Sequence, residues 1–310
     1  MSWNEDTRSD LVSIGTHRLF LSASGPTRET IDGHLQPAVI IEAGLASSHC
    51  EWVAVQRLLA ESVRVYSYDR AGYGLSEESP DPVSVTNRVR ELTLLLKTAE
   101  IAPPYILVGH SYGGVLIREF LRQHGPQDVA GMVIVDSSRE RTPLPPGVGT
   151  LVGDGEASYM AIVGLDASHV LTAEEYQAVK DEEERNAPTA NAEDQLSEAG
   201  RREVNEALPI GMQALEDSPL SVIFGNESVD FRKIYDFSVA HGTGTEEARQ
   251  RLAVRLEDME QLDEQGQRDH LSLSSRSRFV YAEGKARTHN IQLVAPELIR
   301  DEVLWVNSLV

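Results

Sequence analysis

The sequence predicts an α/β protein: a mostly parallel central sheet with helices on both faces, and a helical segment inserted after the strand that ends at Asp136. Three observations predict it. Strand-length apolar runs alternate with helix-period segments from residue 38 to residue 136, the pattern of right-handed β-α-β crossovers. One junction reads YILVGHSYGG, a strand running straight into a helix through Gly109-His110-Ser111-Tyr112-Gly113. After Asp136 the alternation stops, and a charged helical stretch precedes the next strand signal at residue 220.

Residues 11 to 14 and 17 to 22 read as an antiparallel hairpin around Gly15. AVIIE, residues 38 to 42, is an apolar run of the kind buried on both faces of a parallel sheet. A helix is expected over roughly 50 to 60, a strand over 64 to 69, and then the turn-rich AGYGLSEESPDP. Residues 85 to 101 keep a helical period through Val85, Val89, Leu92, Leu96 and Ala99, with Ser84 as N-cap and Pro103-Pro104 as terminator. A strand over 105 to 109, a helix over 112 to 124 and a strand over 131 to 136 follow. Residues 143 to 155 are rich in Pro and Gly and contain no core-like run. Two charged helices are expected next, LTAEEYQAVKDEEER and AEDQLSEAGRREVNEAL, then the strand LSVIF, a long helical stretch over 245 to 274, the strand RFVYA, and a last helix from about Pro296. The domain expectation is a flexible N-terminus (1–10), a core in two parts (11–138 and 218–310), and a helical lid (139–217) between them.

The net charge of −21 argues against a nucleic-acid partner, whose phosphates need clustered Lys and Arg, and against an anionic membrane surface. The acid excess is densest over residues 174 to 206 and reads as a solvated face. A single cysteine, Cys50, allows no intrachain disulfide. MSWNEDTRSD has no secretory h-region, and no apolar run reaches the ~18 residues of a membrane span. A cytoplasmic setting is expected. No residue pattern is assigned to a cofactor or a metal.

The chemistry centres on Ser111. A Ser held on a strained strand-to-helix turn needs small neighbours, which Gly109 and Gly113 supply. The helix after it aims its N-terminus at the hydroxyl, where N–H groups favour a developing oxyanion. A nucleophilic Ser also needs a base, an acid to orient that base, and a second oxyanion donor. The loop EAGLASS, residues 42 to 48, offers that donor: Leu45 N–H, beside Tyr112 N–H as the first. Of the nine His, His289 stands in a loop after the strand RFVYA and before a helix, where α/β folds collect their site residues. For the acid, Asp136 ends an apolar strand, where a carboxylate is costly unless paired. The alternatives follow LSVIF, Glu227 and Asp230, with Glu227 the better of the two by proximity to the strand end.

IIEAGLASSHCEW, YDRAGYGLS, LVGHSYGG, GMVIVDSS and THNIQLVAPELI together resemble the α/β-hydrolase superfamily, specifically its lid-bearing members. The resemblance spans residues 11 to 138 and 218 to 310. It implies Ser111 as nucleophile and His289 as base. In that family the acid usually follows the strand after the lid, often as Gly-x-x-Asp, and here Ser228 takes that place. A minority carry it one strand earlier, where Asp136 stands, so the resemblance favours Asp136 over Glu227. Glu42-Ala43-Gly44 replaces the more usual His-Gly, and Asp69, Arg70, Gly72 and Gly74 match a supporting loop read as structural. The expected activity is hydrolysis of an ester or lactone of a small, largely apolar molecule through an acyl-enzyme. Acyl transfer and carbon–carbon bond hydrolysis use the same constellation, and a non-catalytic ligand receptor keeps the same fold.

Overall fold

The computed structural model describes residues 2–141, 143–153 and 157–310. Eight strands form one sheet: β1 Arg8–Ser13, β2 Arg18–Ser24, β3 Ala38–Glu42, β4 Val65–Tyr68, β5 Tyr105–His110, β6 Val129–Val135, β7 Leu220–Phe224 and β8 Ser277–Tyr281. Their spatial order is β1-β2-β4-β3-β5-β6-β7-β8. β1 and β2 run antiparallel to their neighbours, and β3 to β8 are parallel. The helices are α1 Val53–Leu59, α2 Val85–Thr98, α3 Tyr112–His124, α4 Tyr159–Val163, α5 Leu165–Ser168, α6 Ala173–Ala207, α7 Ser228–His241, α8 Glu246–Arg255, α9 Met259–Arg268, α10 Ile291–Val294 and α11 Pro296–Asn307.

Period-two alternation in the strands explains the two helical layers. Val39 and Ile41 of β3, Ile106 and Val108 of β5, and Val133 and Val135 of β6 face a core shared with Val55 of α1 and Ile299 and Val303 of α11. The intervening residues Ile40, Leu107, Met132 and Ile134 face the opposite core, with Leu92 of α2 and Val115 and Phe120 of α3. Both sets are almost fully buried, which is why these strands read as unbroken apolar runs. Ser84 caps α2 by accepting from Asn87 N–H, and Pro296 opens α11.

Between β6 and β7 stands the inserted helical region, α4 to α6. Sequence periodicity splits its longest part into two helices around Pro188, yet α6 runs unbroken through that proline for 35 residues. Pro188 lacks an N–H, which ordinarily costs a helix interior ~3 kcal/mol. Contacts on both sides of it hold α6 to the core. Asn186 accepts from Gly74 N–H (3.0 Å) and donates to Ala46 O (3.1 Å), and Thr189 donates to Gly72 O (2.9 Å). Three further differences concern short elements. The stretch 228–241, to which the sequence reading assigned no element, is a helix, α7. The long stretch after 245 breaks into α8, α9 and a 3₁₀ turn, Asp269–Leu273. Val148–Val152 forms a 3₁₀ turn that buries Leu151, although this Pro/Gly-rich segment lacks an apolar run; residues 154–156 of it lie outside the described residues. Among the described residues, no helix is long and apolar enough to cross a membrane.

The acidic segment over 174–206 is not wholly a solvated face. Glu193 of α6 is fully buried and accepts from Arg70 (3.0 Å to Nη2), Arg88 Nε (2.7 Å) and Tyr73 OH (2.7 Å). Burial would raise its pKa, but the two guanidinium groups outweigh that and hold it below the usual carboxylate range. Removing the carboxylate leaves the buried Arg70 and Arg88 with only Glu42 and Glu91 to balance their charges. Glu193→Ala is therefore expected to cost about 3–5 kcal/mol, read as a clear fall in Tm, whereas exposed Glu174→Ala stays within about 0.5 kcal/mol.

Candidate active site

Ser111 lies between β5 and α3 at φ +52°, ψ −119°, a backbone state that costs on the order of 1–3 kcal/mol and persists only where the surroundings enforce it. The enforcement is visible. Ser111 N–H donates to Val135 O (3.0 Å), and Gly114 N–H closes the turn on Ser111 O (3.0 Å). A Cβ on Gly113 would lie 2.3 Å from Glu42 O, and one on Gly109 would lie 2.7 Å from Gly113 O. The two glycines are a steric necessity of the turn.

His289 and Asp136 lie 153 positions apart in the chain and meet beside Ser111. His289 Nδ1–H donates to Asp136 Oδ2 at 2.7 Å. The other carboxylate oxygen accepts three bonds: from Gly225 N–H (2.7 Å), Asn226 N–H (3.2 Å) and Gln267 Nε2 (2.8 Å). Burial alone would raise the Asp136 pKa; the bonds from His289, Gln267 and Gly225 hold it below the usual range. Burial likewise opposes charge on His289, but the Asp136 bond and the negative charge of Glu227 and Asp136 push its pKa up to about 9. Asp230 fixes the His289 backbone, accepting from its N–H (2.8 Å) and from Thr288 Oγ1 (2.6 Å). Glu227 sits at the start of α7, and its nearest cation is Arg141, 3.9 Å away. The geometry thus brings Asp136, and not Glu227, into hydrogen-bond contact with His289.

Ser111 and His289 line one cavity of about 200 Å³, together with Leu45, Ser48, Glu51, Tyr159, Met160, Glu182 and Leu293. Half of its wall comes from the loop after β3 and from the end of the chain; the rest comes from the turn at His110 and Ser111 and from α4, α5 and α6. Tyr159 and Met160, at the head of the apolar run 159 to 163, reach the cavity, while Val163 packs in the core. His110 faces the cavity from behind: its Nε2 bonds His289 O (2.8 Å), and burial together with the charge of His289 holds its pKa down to about 3, so it stays neutral.

The loop carrying Leu45 is oriented by Arg70, whose guanidinium donates to Ala43 O (2.7 Å), Gly44 O (2.6 Å) and Glu42 Oε1 (2.9 Å). In a trans peptide the C=O and the following N–H point in opposite directions. Drawing Gly44 O toward Arg70 therefore turns Leu45 N–H away from Arg70. A Cβ on Gly44 would stand 2.9 Å from His110 Nδ1 and 3.4 Å from Ser111 Cβ, so only Gly lets the loop approach this closely. Tyr112 is the first residue of α3, where N–H groups have no partner within the helix.

A sequence model described as "Alpha/beta hydrolase family" matches residues 39–279. The chain belongs to that family. A protein of Gibberella zeae described as an AB hydrolase superfamily protein is 33% identical, aligned over 98% of this chain and 97% of its own length. A probable transporter, efuK, of Hormonema carpetanum is 31% identical over 97% of this chain, which spans only 43% of that protein. Among solved structures, a putative lipase of Acinetobacter baumannii superposes with TM-score 0.62 at 18% identity, covering 99% of this chain and 94% of that one. A thermophilic esterase of Thermogutta terrifontis gives 0.60 at 14% identity, covering 97% and 99%. These last two likenesses show the fold.

Within this alpha/beta hydrolase, sequence reasoning passed over Gln267 of α9, which nothing local marks as a partner of Asp136, and weighed Asp230 of α7 only as a lesser alternative acid, not as a partner of the His289 backbone. Arg70 was read only as part of a supporting loop. Its sequence signal is a charge two residues beyond the buried strand β4, close to the signal that singles out Asp136 at the end of β6.

Proposed function

We propose that this protein is a serine hydrolase that cleaves an ester or lactone bond of a small molecule through an acyl-enzyme. The supporting observation is Ser111 on its forced turn, in one cavity with a His289 whose Nδ1 is held by Asp136. In this reading His289 Nε2 takes the Ser111 proton as the hydroxyl adds to the carbonyl. Asp136 keeps the tautomer and stabilises the imidazolium. Leu45 and Tyr112 N–H groups bind the oxyanion, each such donor being worth about 10²–10³ in turnover. His289 then protonates the leaving group, and water resolves the acyl-enzyme. Met160, Leu165, Val179 and Leu293 receive the apolar part of the substrate; α4 to α6 act as the lid. The same cavity carries Glu51, Glu182 and Glu183 and, among the described residues, no Lys or Arg, so neutral or cationic substrates are favoured over anionic ones.

A fluorophosphonate probe is expected to label the wild-type protein at Ser111 and to leave Ser111→Ala unlabelled. A panel of p-nitrophenyl esters and lactones then identifies the class, with Ser111→Ala as control. Absence of label on the folded wild type rejects the enzyme reading in favour of a ligand receptor.

The base works only when deprotonated. With its pKa raised, the active form of His289 accumulates as pH rises, so kcat/KM is expected to climb through a midpoint above the ~6.5 of free imidazole, toward about 9. A midpoint at or below the free value contradicts the ion pair with Asp136.

A further inference from the structure

We propose that His49, Cys50 and Glu182 form a binding site for one zinc-class divalent ion in the wall of the substrate cavity. His49 and Cys50 open the 3₁₀ turn His49–Trp52 that follows the Leu45 loop, and Glu182 comes from α6. One ligand atom from each lies within 4.8 Å of the others. Cys50 Sγ is 3.7 Å from His49 Nε2 and 3.3 Å from Glu182 Oε1. A tetrahedral zinc ion with bonds of about 2.3 Å to sulfur and about 2.0–2.2 Å to nitrogen and oxygen has ligand-to-ligand edges of about 3.5 Å. The two edges from Cys50 Sγ match that spacing, and the His49–Glu182 edge lies within 4.8 Å, so a small side-chain adjustment completes three corners and leaves the fourth for water or another ligand.

The atoms behind the donors are arranged to match. His49 Nδ1 is engaged by Asp69 at 2.9 and 3.0 Å from the two carboxylate oxygens, and Asp69 is fully buried. That bond places a proton on Nδ1 and leaves Nε2 as the ring nitrogen facing Cys50, the carboxylate–histidine arrangement that orients metal-bound imidazoles; binding the ion displaces any proton from Nε2 to solvent. The second oxygen of Glu182 accepts from Ser48 Oγ, which fixes the carboxylate plane. A mixed nitrogen, sulfur and oxygen set selects zinc over magnesium or calcium, which prefer oxygen alone. On binding, the ion displaces the Cys50 thiol proton, and the Sγ lone pair becomes the metal bond.

The site joins two parts of the cavity wall. Ser48 and Glu182 both line the cavity that holds Ser111. An ion held by His49, Cys50 and Glu182 would pin α6 to the 3₁₀ turn that follows the Leu45 loop, closing the inserted helices over the core. The assignment stands on the donor set alone and does not depend on the hydrolase reading.

The test uses the full chain, stripped with a chelator and titrated with Zn²⁺, Mg²⁺ and Ca²⁺. One zinc per chain is expected, seen by release to a chromophoric indicator, with no comparable uptake of magnesium or calcium. Zinc should slow the reaction of Cys50 with a disulfide reagent by at least about tenfold, reversibly with chelator, and raise Tm. Co²⁺ should give the near-ultraviolet thiolate band. Cys50→Ser should abolish that band, and Cys50→Ser and Glu182→Gln should each weaken zinc binding by about 10–100-fold. Metal-free melting curves of both variants verify that they are folded. Failure of the wild type to take up stoichiometric zinc overturns the proposal. So does zinc uptake that Cys50→Ser leaves unchanged, which would locate the ion at other histidines.

Discussion

Ser111→Ala is expected to lower kcat by about 10⁵–10⁶-fold while leaving KM within a few-fold, measured on whichever ester the wild type turns over fastest. The size follows from what the alcohol does. Ser47 and Ser48 also line the cavity, but they stand on the loop after β3 rather than on the elbow, and Ser48 Oγ is engaged by Glu182, so the variant should be left with what Leu45 and Tyr112 N–H groups and substrate binding supply, a residual of about 10³–10⁴ over water. The substitution removes one oxygen and keeps Cβ, so the bond from Ser111 N–H to Val135 O and the closure by Gly114 are retained. The positive φ at 111 also remains, because it is imposed by Gly109, Gly113 and the sheet around them. Circular dichroism and Tm should thus be close to wild type, and the lost rate is chemical. An alanine variant that keeps more than about a tenth of the wild-type rate would mean another nucleophile, and the catalytic scheme would fail with it.

What could be read from the sequence was what local pattern encodes. AVIIE, the helix from Tyr112 to His124 and LSVIF match their observed elements residue for residue, because burial on both faces of a sheet demands an uninterrupted apolar run and because the elbow fixes where α3 begins. Ser111 was legible for the same reason: its glycines are required by contacts to the chain's own neighbouring backbone. His289 was found by its place after a strand. The failures are of another kind. Pro188 marks a break in any local account, and α6 continues through it because Asn186, Thr189 and Glu193 are anchored to residues more than a hundred positions away. Glu193 and Glu182 look like their exposed neighbours in sequence and differ only in what they meet.

Those anchors connect the inserted helices to the chemistry. Arg70 donates at once to Glu193 of α6 and to the carbonyls of Ala43 and Gly44, so the residue that turns Leu45 N–H away from itself also holds α6. Tyr73 adds a second link, donating to Glu193 while its hydroxyl accepts from Ala46 N–H. Docking of α6 and orientation of the donor loop are therefore one buried network. Weakening it at Glu193 should be felt in the geometry beside Ser111 as well as in the melting temperature.

Asp136→Asn is expected to reduce kcat by about 10⁴-fold, with Glu227→Gln within a few-fold of wild type. The three donors on Asp136 Oδ1 determine how the amide sits. Gly225 N–H, Asn226 N–H and Gln267 Nε2 all require an acceptor, so the Asn oxygen must take that place. The amide NH₂ is then left facing His289 Nδ1, which can only accept from it. The imidazole proton moves to Nε2, the nitrogen that has to receive the Ser111 proton, and the base is disabled with the backbone undisturbed. Loss of the negative charge also removes the bond that raises the His289 pKa, so the acid limb of the residual kcat/KM profile should shift to lower pH. Glu227 acts on His289 through space alone, from a partly exposed position beside Arg141, where solvent screens it. Its removal should lower that pKa modestly without changing the tautomer. Should Glu227→Gln lose orders of magnitude while Asp136→Asn keeps most of its rate, the acid belongs to the loop after β7, and the bond seen between Asp136 and His289 is structural.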